Sequence, residues 1–338
     1  MDARQSELRR WALTTLQLPA EGSNWQAVTG DASARRYFRL RHGVDAWVAV
    51  DAPPASEKNR EFLAVRELLA GAGVRVPALC GSDLDQGYLL LEDLGDQLLL
   101  PLLTTATVDT HYRHALQTLA AIQSIETSAV QLPRYDPAVL TEELQRFPEW
   151  FASGLLQIPM TAVWLARLQD FFRTLTDSAL QQPQVVVHRD FHSRNLMPQP
   201  DGSLGVIDFQ DAVLGPVCYD LVSLLRDCYI QWPAAKVRGW ALEYYHLQVQ
   251  LGADGGVSDD QFMRWFDLMG VQRHLKVLGN FSRLALRDNR DAYLADIPLV
   301  LDYITAVLAQ YPEFDWLCDW FRVEVGPRVQ AQAWGKSA

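Results

Sequence analysis

The stretch VVVHRDFHSRNLMPQPDGSLGVIDFQD, residues 185–211, decides the fold of this chain of 338 residues. An apolar run of three valines leads into His-Arg-Asp, which ends at Asp190, and Asn195 follows five residues later. A second apolar run, residues 204–207, leads into Asp208 after a Pro-Asp-Gly-Ser turn. Two apolar runs on either side of turn residues are typical of a β-hairpin. We therefore predict that the two runs pair and that Asp208 lies beside Asn195.

The order His-Arg-Asp, four residues, Asn is the spacing of a kinase-type catalytic loop. In such a loop the aspartate orients an attacking hydroxyl and accepts its proton, while the asparagine amide oxygen holds Mg²⁺. Proteins usually bind Mg²⁺ through one or two carboxylates and the phosphates of the substrate. The sequence therefore predicts Asp190 as the catalytic residue, Asn195 and Asp208 as metal ligands, and ATP with Mg²⁺ as cofactors. A lone His-x-Asp is common by chance, but three such groups against apolar runs are a rare coincidence.

Composition narrows the class of protein. Hydrophobic residues make up 49% of the chain, enough for a large core, and its four cysteines are far apart with no CxxC pair. A net charge of −11 disfavours general nucleic-acid binding, which needs basic surfaces. No apolar stretch reaches the roughly 20 residues that cross a bilayer, and the charged N-terminus lacks the core of a signal peptide. We expect a cytoplasmic monomer whose partner is a small molecule, with neither nucleic acid nor membrane bound.

The first lobe is predicted over residues 1–95, as a small nucleotide-binding β-sheet with one helix. Two alternating segments, 36–40 and 46–50, are separated by Arg-His-Gly and predict a hairpin. The preceding turn contains Gly30, Asp31 and Ser33. In kinase-like folds this turn covers the ATP phosphates, and small residues allow backbone amides to approach them closely. The predicted helix follows the hairpin, over 57–69.

Adenine binding is expected at the end of this lobe. The run YLLLEDLG, residues 88–95, is an apolar strand that ends in acidic residues and a glycine. It predicts the hinge between lobes, where backbone groups of Glu92, Asp93 and Leu94 bind adenine.

The strand lysine of kinases is missing from this chain. Residues 47–51 read WVAVD where that lysine is expected, so the usual cation on the α- and β-phosphates is absent. Arg35 or Arg36, just beyond the phosphate turn, is a candidate replacement; the alternative is that both are solvated arginines at a strand edge.

Residues 96–338 predict a mainly helical second lobe that carries the catalytic loop and the acceptor site. Helical periodicity marks seven segments: 110–125, 138–151, 161–180, 221–230, 234–251, 259–286 and 298–309.

The sequence departs from protein kinases at residues 208–211, which read Asp-Phe-Gln-Asp where a protein kinase has Asp-Phe-Gly. Together with Gly-Pro at 215–216 and Tyr-Asp-Leu at 219–221, this resembles the aminoglycoside phosphotransferase superfamily, the small-molecule relatives of protein kinases. Within it, the chain from about residue 31 to 303 resembles the cell-wall-recycling anomeric sugar kinases. The words that carry this resemblance are GDASARRYFRL, VDAPP, YLLLEDLG, HRDFHSRNLM, VIDFQDAVLGPVCYDLVSLLRD and LMGVQRHLKVLGNFSRL.

The resemblance implies a fold and an activity. The fold is α+β and bilobal, protein-kinase-like, with a small β-sheet N-lobe and a mainly helical C-lobe. The activity is phosphorylation of the C1 hydroxyl of N-acetylmuramate and N-acetylglucosamine in peptidoglycan recycling. In this family Asp220 is expected to hydrogen-bond the catalytic loop from beneath.

Several residues are candidates for contact with the acceptor. His192, Arg194, Gln210 and Asp211 are neighbours of the catalytic groups in sequence, and Trp150 is a candidate platform for stacking on a sugar. Trp232 is a second such candidate, although most of the eleven tryptophans must serve packing.

A basic stripe is predicted near Met269. Five cations share an arc of roughly 60° if one helix is continuous there: Arg273, Lys276, Arg283, Arg287 and Arg290. Such a stripe attracts an acidic sugar and repels a cationic antibiotic, but it is equally typical of a solvated helix face. Gly279 and Asn280 are possible breaks in the helix.

Two alternatives remain open. A kinase of the same superfamily that acts on an aminoglycoside, choline or homoserine keeps the chemistry, although the basic stripe disfavours the first two acceptors. A nucleotide-binding pseudokinase with a regulatory role is favoured by the missing lysine and disfavoured by the intact Asp190, Asn195 and Asp208.

Overall fold

The structure of the chain is a computed structural model, and it is described here for residues 2–28, 35–129, 131–250, 252 and 256–335. The chain divides into two units: residues 1–121 with 194–211, and residues 122–193 with 212–338. Asn195 and Asp208 belong to the first unit and Asp190 to the second. The functional lobes predicted as 1–95 and 96–338 stay a prediction.

A five-stranded antiparallel sheet forms the first unit. Its strands are β1 (Ser23–Val28), β2 (Arg36–His42), β3 (Asp45–Asp51), β4 (Leu79–Asp83) and β5 (Tyr88–Glu92). They are hydrogen-bonded in the order β1-β2-β3-β5-β4. The predicted hairpin is confirmed as β2 and β3, with Arg36 opposite Asp51. The apolar strand β5 lies between β3 and β4, so both of its edges are hydrogen-bonded.

Helix α1 (Ala3–Thr15) covers one face of this sheet. Leu8 and Ala12 are four residues apart, so they share one face of the helix, and both are fully buried. They belong to the same core as Phe38 and Leu40 of β2. Asp2 caps the helix by accepting a hydrogen bond from the Gln5 backbone N–H at 2.8 Å.

A buried carboxylate connects α1 to the sheet. Asp51, at the end of β3, is fully buried. It accepts hydrogen bonds from Arg4 Nε at 2.6 Å and from Arg36 Nε and Nη2 at 3.0 and 2.5 Å. A buried charge is stable only when it is paired and hydrogen-bonded, so these two arginines offset the cost of burying the Asp51 carboxylate.

Helices dominate the rest of the chain. The helix predicted over 57–69 is confirmed as α2 (Asn59–Gly71), and the seven later segments correspond to α3 (Val108–Gln123), α4 (Pro137–Arg146), α5 (Ala162–Leu180), α6 (Cys218–Leu225), α7 (Ala234–Gln250), α8 (Asp259–Asp288) and α9 (Ile297–Leu308). A π-helical segment, Phe147–Leu155, continues α4, and two short C-terminal helices were not predicted: α10 (Asp315–Trp320) and α11 (Gly326–Gln330). No helix in the described ranges combines the length and hydropathy that crossing a bilayer requires.

The longest helix, α8, is continuous through both of its predicted breaks. A side chain at Gly279 would lie 2.5 Å from the backbone carbon of Arg146. The glycine therefore permits the end of α4 to pack closely against α8. Asn280 accepts a hydrogen bond from Arg146 Nη1 at 3.0 Å, which adds a polar contact at the same crossing.

The predicted pairing of the apolar runs 185–187 and 204–207 is wrong. Strand β6 (Gln184–Val187) pairs with β9 (Val213–Pro216), while β7 (Leu196–Pro198) pairs with β8 (Leu204–Val206). The short segment of β7 lies next to the turn, and a short loop costs less closure entropy than the long one that the prediction required. The predicted proximity of Asp208 to Asn195 is nevertheless confirmed, because the backbone N–H of Ile207, the residue before Asp208, donates to the Asn195 carbonyl at 3.1 Å.

We predict that Asp51→Ala lowers the free energy of unfolding by about 2 kcal/mol. Breaking a buried ion pair costs more than this, but Arg4 and Arg36 are partly exposed and regain water, which reduces the loss. Denaturant unfolding of the variant measures the change. Asp45→Ala, at the exposed start of the same strand, is the matched control and should change stability by less than about 0.5 kcal/mol. Equal losses in the two variants would contradict the role of Asp51.

Candidate active site

Strands β7 and β8 position the two predicted metal ligands. Asn195 immediately precedes β7 and Asp208 closely follows β8. Asn195 Nδ2 lies 3.4 Å from Asp208 Oδ2, and Gln210 Nε2 donates to Asp208 Oδ1 at 2.9 Å. Asp208 has φ 64°, a left-handed conformation that aspartate adopts more readily than most residues. The structure thus brings Asn195, Asp208 and Gln210 together at the mouth of one hairpin.

This pair of oxygen-bearing side chains fits Mg²⁺ rather than a closed metal cage. Asp208 is exposed, and Mg²⁺ keeps several ligands from water and substrate phosphates. Among the described residues, no three His, Cys, Asp or Glu side chains are grouped as a metal site. One carboxylate and one amide are therefore suited to a cation that arrives with phosphate.

An aromatic stack connects this hairpin to helix α2. Phe209 is buried and its ring centroid lies 5.0 Å from that of Phe62. The Arg35 guanidinium lies over the Phe62 ring, 5.2 Å from its centroid. Its Nε atom lies 2.9 Å from Glu57 Oε2. Burial raises the pKa of Tyr37, on which both Arg35 and Asp208 also act electrostatically. Arg35 is therefore a buried cation in the neighbourhood of Asp208.

The other predicted phosphate-binding residues have different surroundings. Arg36 is bound by the carboxylate of Asp51, as described for the fold, and also by that of Asp2. Gly30, Asp31 and Ser33 lie outside the described residues.

The predicted hinge residues are fixed by their side chains. Glu92 pairs with Arg75, with Nη1 to Oε2 at 2.6 Å. Asp93 accepts from Arg39 Nε and Nη2 at 2.5 and 2.9 Å. The Leu94 carbonyl accepts from Gln199 Nε2 at 3.2 Å. Two ion pairs and one hydrogen bond to a carbonyl therefore hold this segment.

Two buried carboxylates of the second unit hold the catalytic loop. Asp220, in α6, accepts from the backbone N–H groups of His188 and Arg189 at 2.6 and 3.0 Å. Asp227 accepts from the Ser193 backbone N–H and hydroxyl at 2.9 and 2.5 Å. The expected role of Asp220 is confirmed. Asp227 was missed; it lies just beyond the end of α6, at Leu225, and nothing in its sequence spacing marks the contact with Ser193.

Arg189 shows how tightly the loop is held. Its φ is 78°, an unfavourable backbone conformation for a large side chain. Its N–H is bound by Asp220 and its guanidinium Nη2 lies 2.6 Å from Glu143 Oε1. Contacts at both the backbone and the side chain offset the cost of this conformation.

Positive charge surrounds Asp190. Burial alone would raise the pKa of this carboxyl, but Lys276, His192, Arg273 and His188 lower it to about 2. Asp190 is therefore ionised at every physiological pH. So acidic a group is a weak proton acceptor, and its first contribution is to orient a hydroxyl.

The predicted basic stripe is only partly correct. Arg273 and Lys276 are 3% and 7% exposed, so for them the solvated-face alternative is wrong. Arg283 is partly buried, while Arg287 is exposed and paired with Asp288 at 2.8 Å. Arg290 lies beyond the helix, which ends at Asp288 because Asn289 adopts a left-handed cap with φ 53°. Two inward cations, not five, belong near Asp190.

The remaining candidates are dispersed. His192 packs edge-on against Tyr229 at 5.4 Å beside the catalytic loop. Arg194 and Asp211 belong to the first unit, and Asp211 lies 3.8 Å from Lys58 Nζ. Trp150 is half-buried in the π-helical segment. Trp232 is buried against Trp240, so packing explains it better than sugar stacking.

Residues 24–256 match the phosphotransferase enzyme family. The chain belongs to this family. It is 42% identical to the N-acetylmuramate/N-acetylglucosamine kinase of Pseudomonas aeruginosa, covering 92% of this chain and 94% of that protein. Proteins of the same name from Pseudomonas putida and Neisseria meningitidis are 43% and 38% identical, over 85% and 92% of this chain and 84% and 92% of theirs.

Solved phosphotransferases share the fold. Choline kinase LicA from Streptococcus pneumoniae superposes with a TM-score of 0.62 at 14% identity, covering 90% of this chain and 100% of that one. The ADP-bound aminoglycoside phosphotransferase APH(2'')-Ib gives 0.58 at 14% identity, over 90% and 98%. The predicted α+β, kinase-like fold class is confirmed, and the chain is a phosphotransferase.

We predict that Asp220 controls the acid limb of the pH profile. Burial raises the pKa of this carboxyl to about 6, against which His188 and the two backbone N–H groups act. A folded-state pKa above the unfolded value means that protonation stabilises the fold as the pH falls through 6. The two N–H bonds, however, need the ionised form. The kcat/KM of phosphoryl transfer should therefore fall below about pH 6, with no matching loss of thermal stability from this group.

Asp220→Asn tests this assignment. It should reduce kcat at pH 7.5 by about ten- to a hundredfold, because hydrogen bonds to a charged group contribute about 1.5–3 kcal/mol. It should also remove the acid limb. A variant that keeps the wild-type limb would show that another group is titrating.

Proposed function

We propose that this phosphotransferase transfers the γ-phosphoryl group of ATP to the C1 hydroxyl of N-acetylmuramate and N-acetylglucosamine. The observation that carries the proposal is the 38–43% identity, over most of the chain, to three proteins named as kinases of these two sugars. The role follows from the substrates: the enzyme returns sugars of peptidoglycan to metabolism, in the cytoplasm where ATP is available.

Asp190 is proposed to bind the acceptor hydroxyl. As the anomeric oxygen forms its bond to the γ-phosphorus, the bond to the ADP oxygen breaks and the hydroxyl proton passes to an Asp190 carboxylate oxygen. The low pKa of Asp190 suits a loose transition state, in which the proton is transferred late and orientation matters more than basicity. Asp220 and Asp227 act through the loop, as positioning residues.

Asn195 and Asp208 are proposed to hold Mg²⁺ with their amide and carboxylate oxygens. The cation, when bound, neutralises the charge that the phosphates carry into the transition state. Gln210 donates to Asp208 and so limits rotation of the metal-binding carboxylate. Arg194 and Asp211 are retained as candidates for contact with the transferred phosphoryl group or the sugar hydroxyls, and Arg283 and Trp150 as outer contacts of the acceptor.

Arg35 is the better replacement for the missing strand lysine. It is 6% exposed, paired with Glu57, and part of the stack that includes Phe209. Arg36 is instead occupied by two carboxylates that stabilise the fold. With a cation supplied by Arg35, the missing lysine no longer favours a pseudokinase. Adenine is proposed to bind the backbone of Glu92, Asp93 and Leu94.

ADP release in the presence of ATP, Mg²⁺ and a panel of acceptors tests the function. We expect release that depends on N-acetylmuramate or N-acetylglucosamine, and none above background with aminoglycosides, choline or homoserine. A cationic acceptor is disfavoured because Arg273 and Lys276 already place positive charge near Asp190. Release that depends on a non-sugar acceptor alone would reject the proposal.

Asp190→Asn and Asp208→Asn are each expected to retain less than about a hundredth of the turnover, following the usual magnitudes of general-base and charge-stabilising groups. The initial rate of ADP formation at saturating ATP and sugar measures this. Asp201→Asn, in the exposed turn of the β7–β8 hairpin, is the matched control and should keep the normal rate. Near-normal rates in both catalytic variants would rule out the mechanism.

Arg35→Met and Arg36→Met distinguish the two arginines. We expect Arg35→Met to raise the KM for ATP by about ten- to a hundredfold, because a charge-assisted bond to phosphate is lost. Arg36→Met should lower the melting temperature and leave the KM for ATP within about twofold. Initial rates at varied ATP and a thermal melt separate the effects, and an increased KM in Arg36→Met alone would reverse the assignment.

A further inference from the structure

Arg273 is a buried cation with two donor atoms that form no hydrogen bond in the described part of the chain. It lies on α8 and is 3% exposed. In the described part of the chain, its Nε and Nη1 atoms are buried and have no hydrogen-bond partner. Buried polar groups are nearly always hydrogen-bonded, and buried charges are nearly always paired. An arginine that departs from both rules has its donors available for a ligand.

The neighbouring cations differ from Arg273 in having carboxylate partners, although Arg189 Nε and Arg226 Nη1 are likewise buried without a hydrogen-bond partner among the described residues. Arg189 Nη2 lies 2.6 Å from Glu143 Oε1, and Lys276 Nζ lies 3.4 Å from the same oxygen. Lys276 also donates to the Tyr219 hydroxyl at 2.7 Å. Arg226, at the end of α6, is paired with Asp267 at 2.5 Å. Each of these three therefore has a carboxylate partner within the fold.

Two carboxylates, Asp190 and Asp227, act electrostatically on Arg273, but neither forms a hydrogen bond with its buried Nε or Nη1 atoms. Asp227 uses Oδ2 for Ser193 and Oδ1 for the Tyr229 backbone N–H, at 3.1 Å. Asp190 is the carboxylate that receives the acceptor hydroxyl. Burial disfavours the charge on Arg273, but Cys228, Tyr219, Asp190 and Asp227 together outweigh it and raise the pKa, so the guanidinium stays charged. It acts on Asp190 strongly enough to help lower the pKa of that carboxyl.

We propose that Arg273 determines acceptor specificity by binding the carboxylate of an acidic sugar whose hydroxyl lies at Asp190. The inference rests on the proposed function and adds to it a basis for discrimination. N-acetylmuramate carries a lactyl carboxylate that N-acetylglucosamine lacks. The acidic sugar satisfies the unused donors of Arg273, whereas the neutral sugar leaves them to water, and sites built for a polar group discriminate against analogues that lack it.

Arg273→Gln tests the proposal through the ratio of two substrates. The variant should lose about ten- to a hundredfold in kcat/KM for N-acetylmuramate, the effect of one charge-assisted hydrogen bond. Loss of the charge that acts on Asp190 affects every acceptor alike, so the kcat/KM for N-acetylglucosamine and for the primary amide of N-acetylmuramate should fall by at least about tenfold less than that for the acid. Arg273→Lys should retain part of the preference for the acid, because it keeps the charge without the planar fork of donors.

Three controls accompany the variant. Arg264→Gln removes a partly exposed arginine of the same helix, paired with Glu313, and should change the kcat/KM for neither substrate. Calorimetric binding of each sugar without ATP should show the same loss for the acid alone. Wild-type enzyme compared on the acid and its primary amide needs no variant, and should favour the acid by at least about tenfold.

Each outcome has one meaning. Equal losses for the acid, the amide and the neutral sugar would assign Arg273 to the phosphoryl donor or to Asp190, and would overturn this inference while leaving the proposed function intact. Equal wild-type activity on the acid and its amide would overturn it even if the Arg273 variants fail to fold. A wild-type enzyme inactive on both sugars would overturn the proposed function and this inference together.

Discussion

The buried carboxylate of Asp220 is the interaction on which the site depends. It accepts two backbone N–H groups at the start of the catalytic loop, where β6 has just ended and Arg189 takes an unfavourable conformation. Asp227 does the same for Ser193, further along the loop. A loop lacks the backbone-to-backbone hydrogen bonds of a strand or helix, so these two carboxylates accept the hydrogen bonds of its N–H groups instead. They turn a short segment that would otherwise be mobile into a rigid support for Asp190.

The surroundings of Asp190 are positively charged because the buried cations near it outnumber the carboxylates that pair with them. Glu143 is shared between Arg189 and Lys276, while Arg273 has no carboxylate that bonds its buried donors in the described structure. The net positive surroundings keep Asp190 ionised. In a chain with a net charge of −11, such a group of buried cations is a local specialisation rather than a reflection of composition.

Buried ion pairs between arginines and carboxylates also stabilise the first unit. Two adjacent arginines at the start of β2 have separate tasks: Arg36 neutralises the buried Asp51, and Arg35 pairs with Glu57 beside the stack of Phe62 and Phe209. Residues next to each other on a strand point to opposite faces, so adjacent arginines are expected to differ in this way. Their identity in the sequence does not reveal which face each one occupies.

The sequence by itself determined the phosphotransferase family and the helices. The spacing of Asp190, Asn195 and Asp208, the alternation of β2 and β3, and the periodicity of α2 to α9 are local patterns, and local patterns survive folding. Tertiary structure alone decided which strands pair around the catalytic loop, that Gly279 is a site of close packing rather than a break, and which of five cations turn inward. It also decided which groups Asp227, Glu143, Arg35 and Arg36 contact. These depend on contacts between residues far apart in the chain, where burial and the supply of partners, rather than spacing, set the role of each charge.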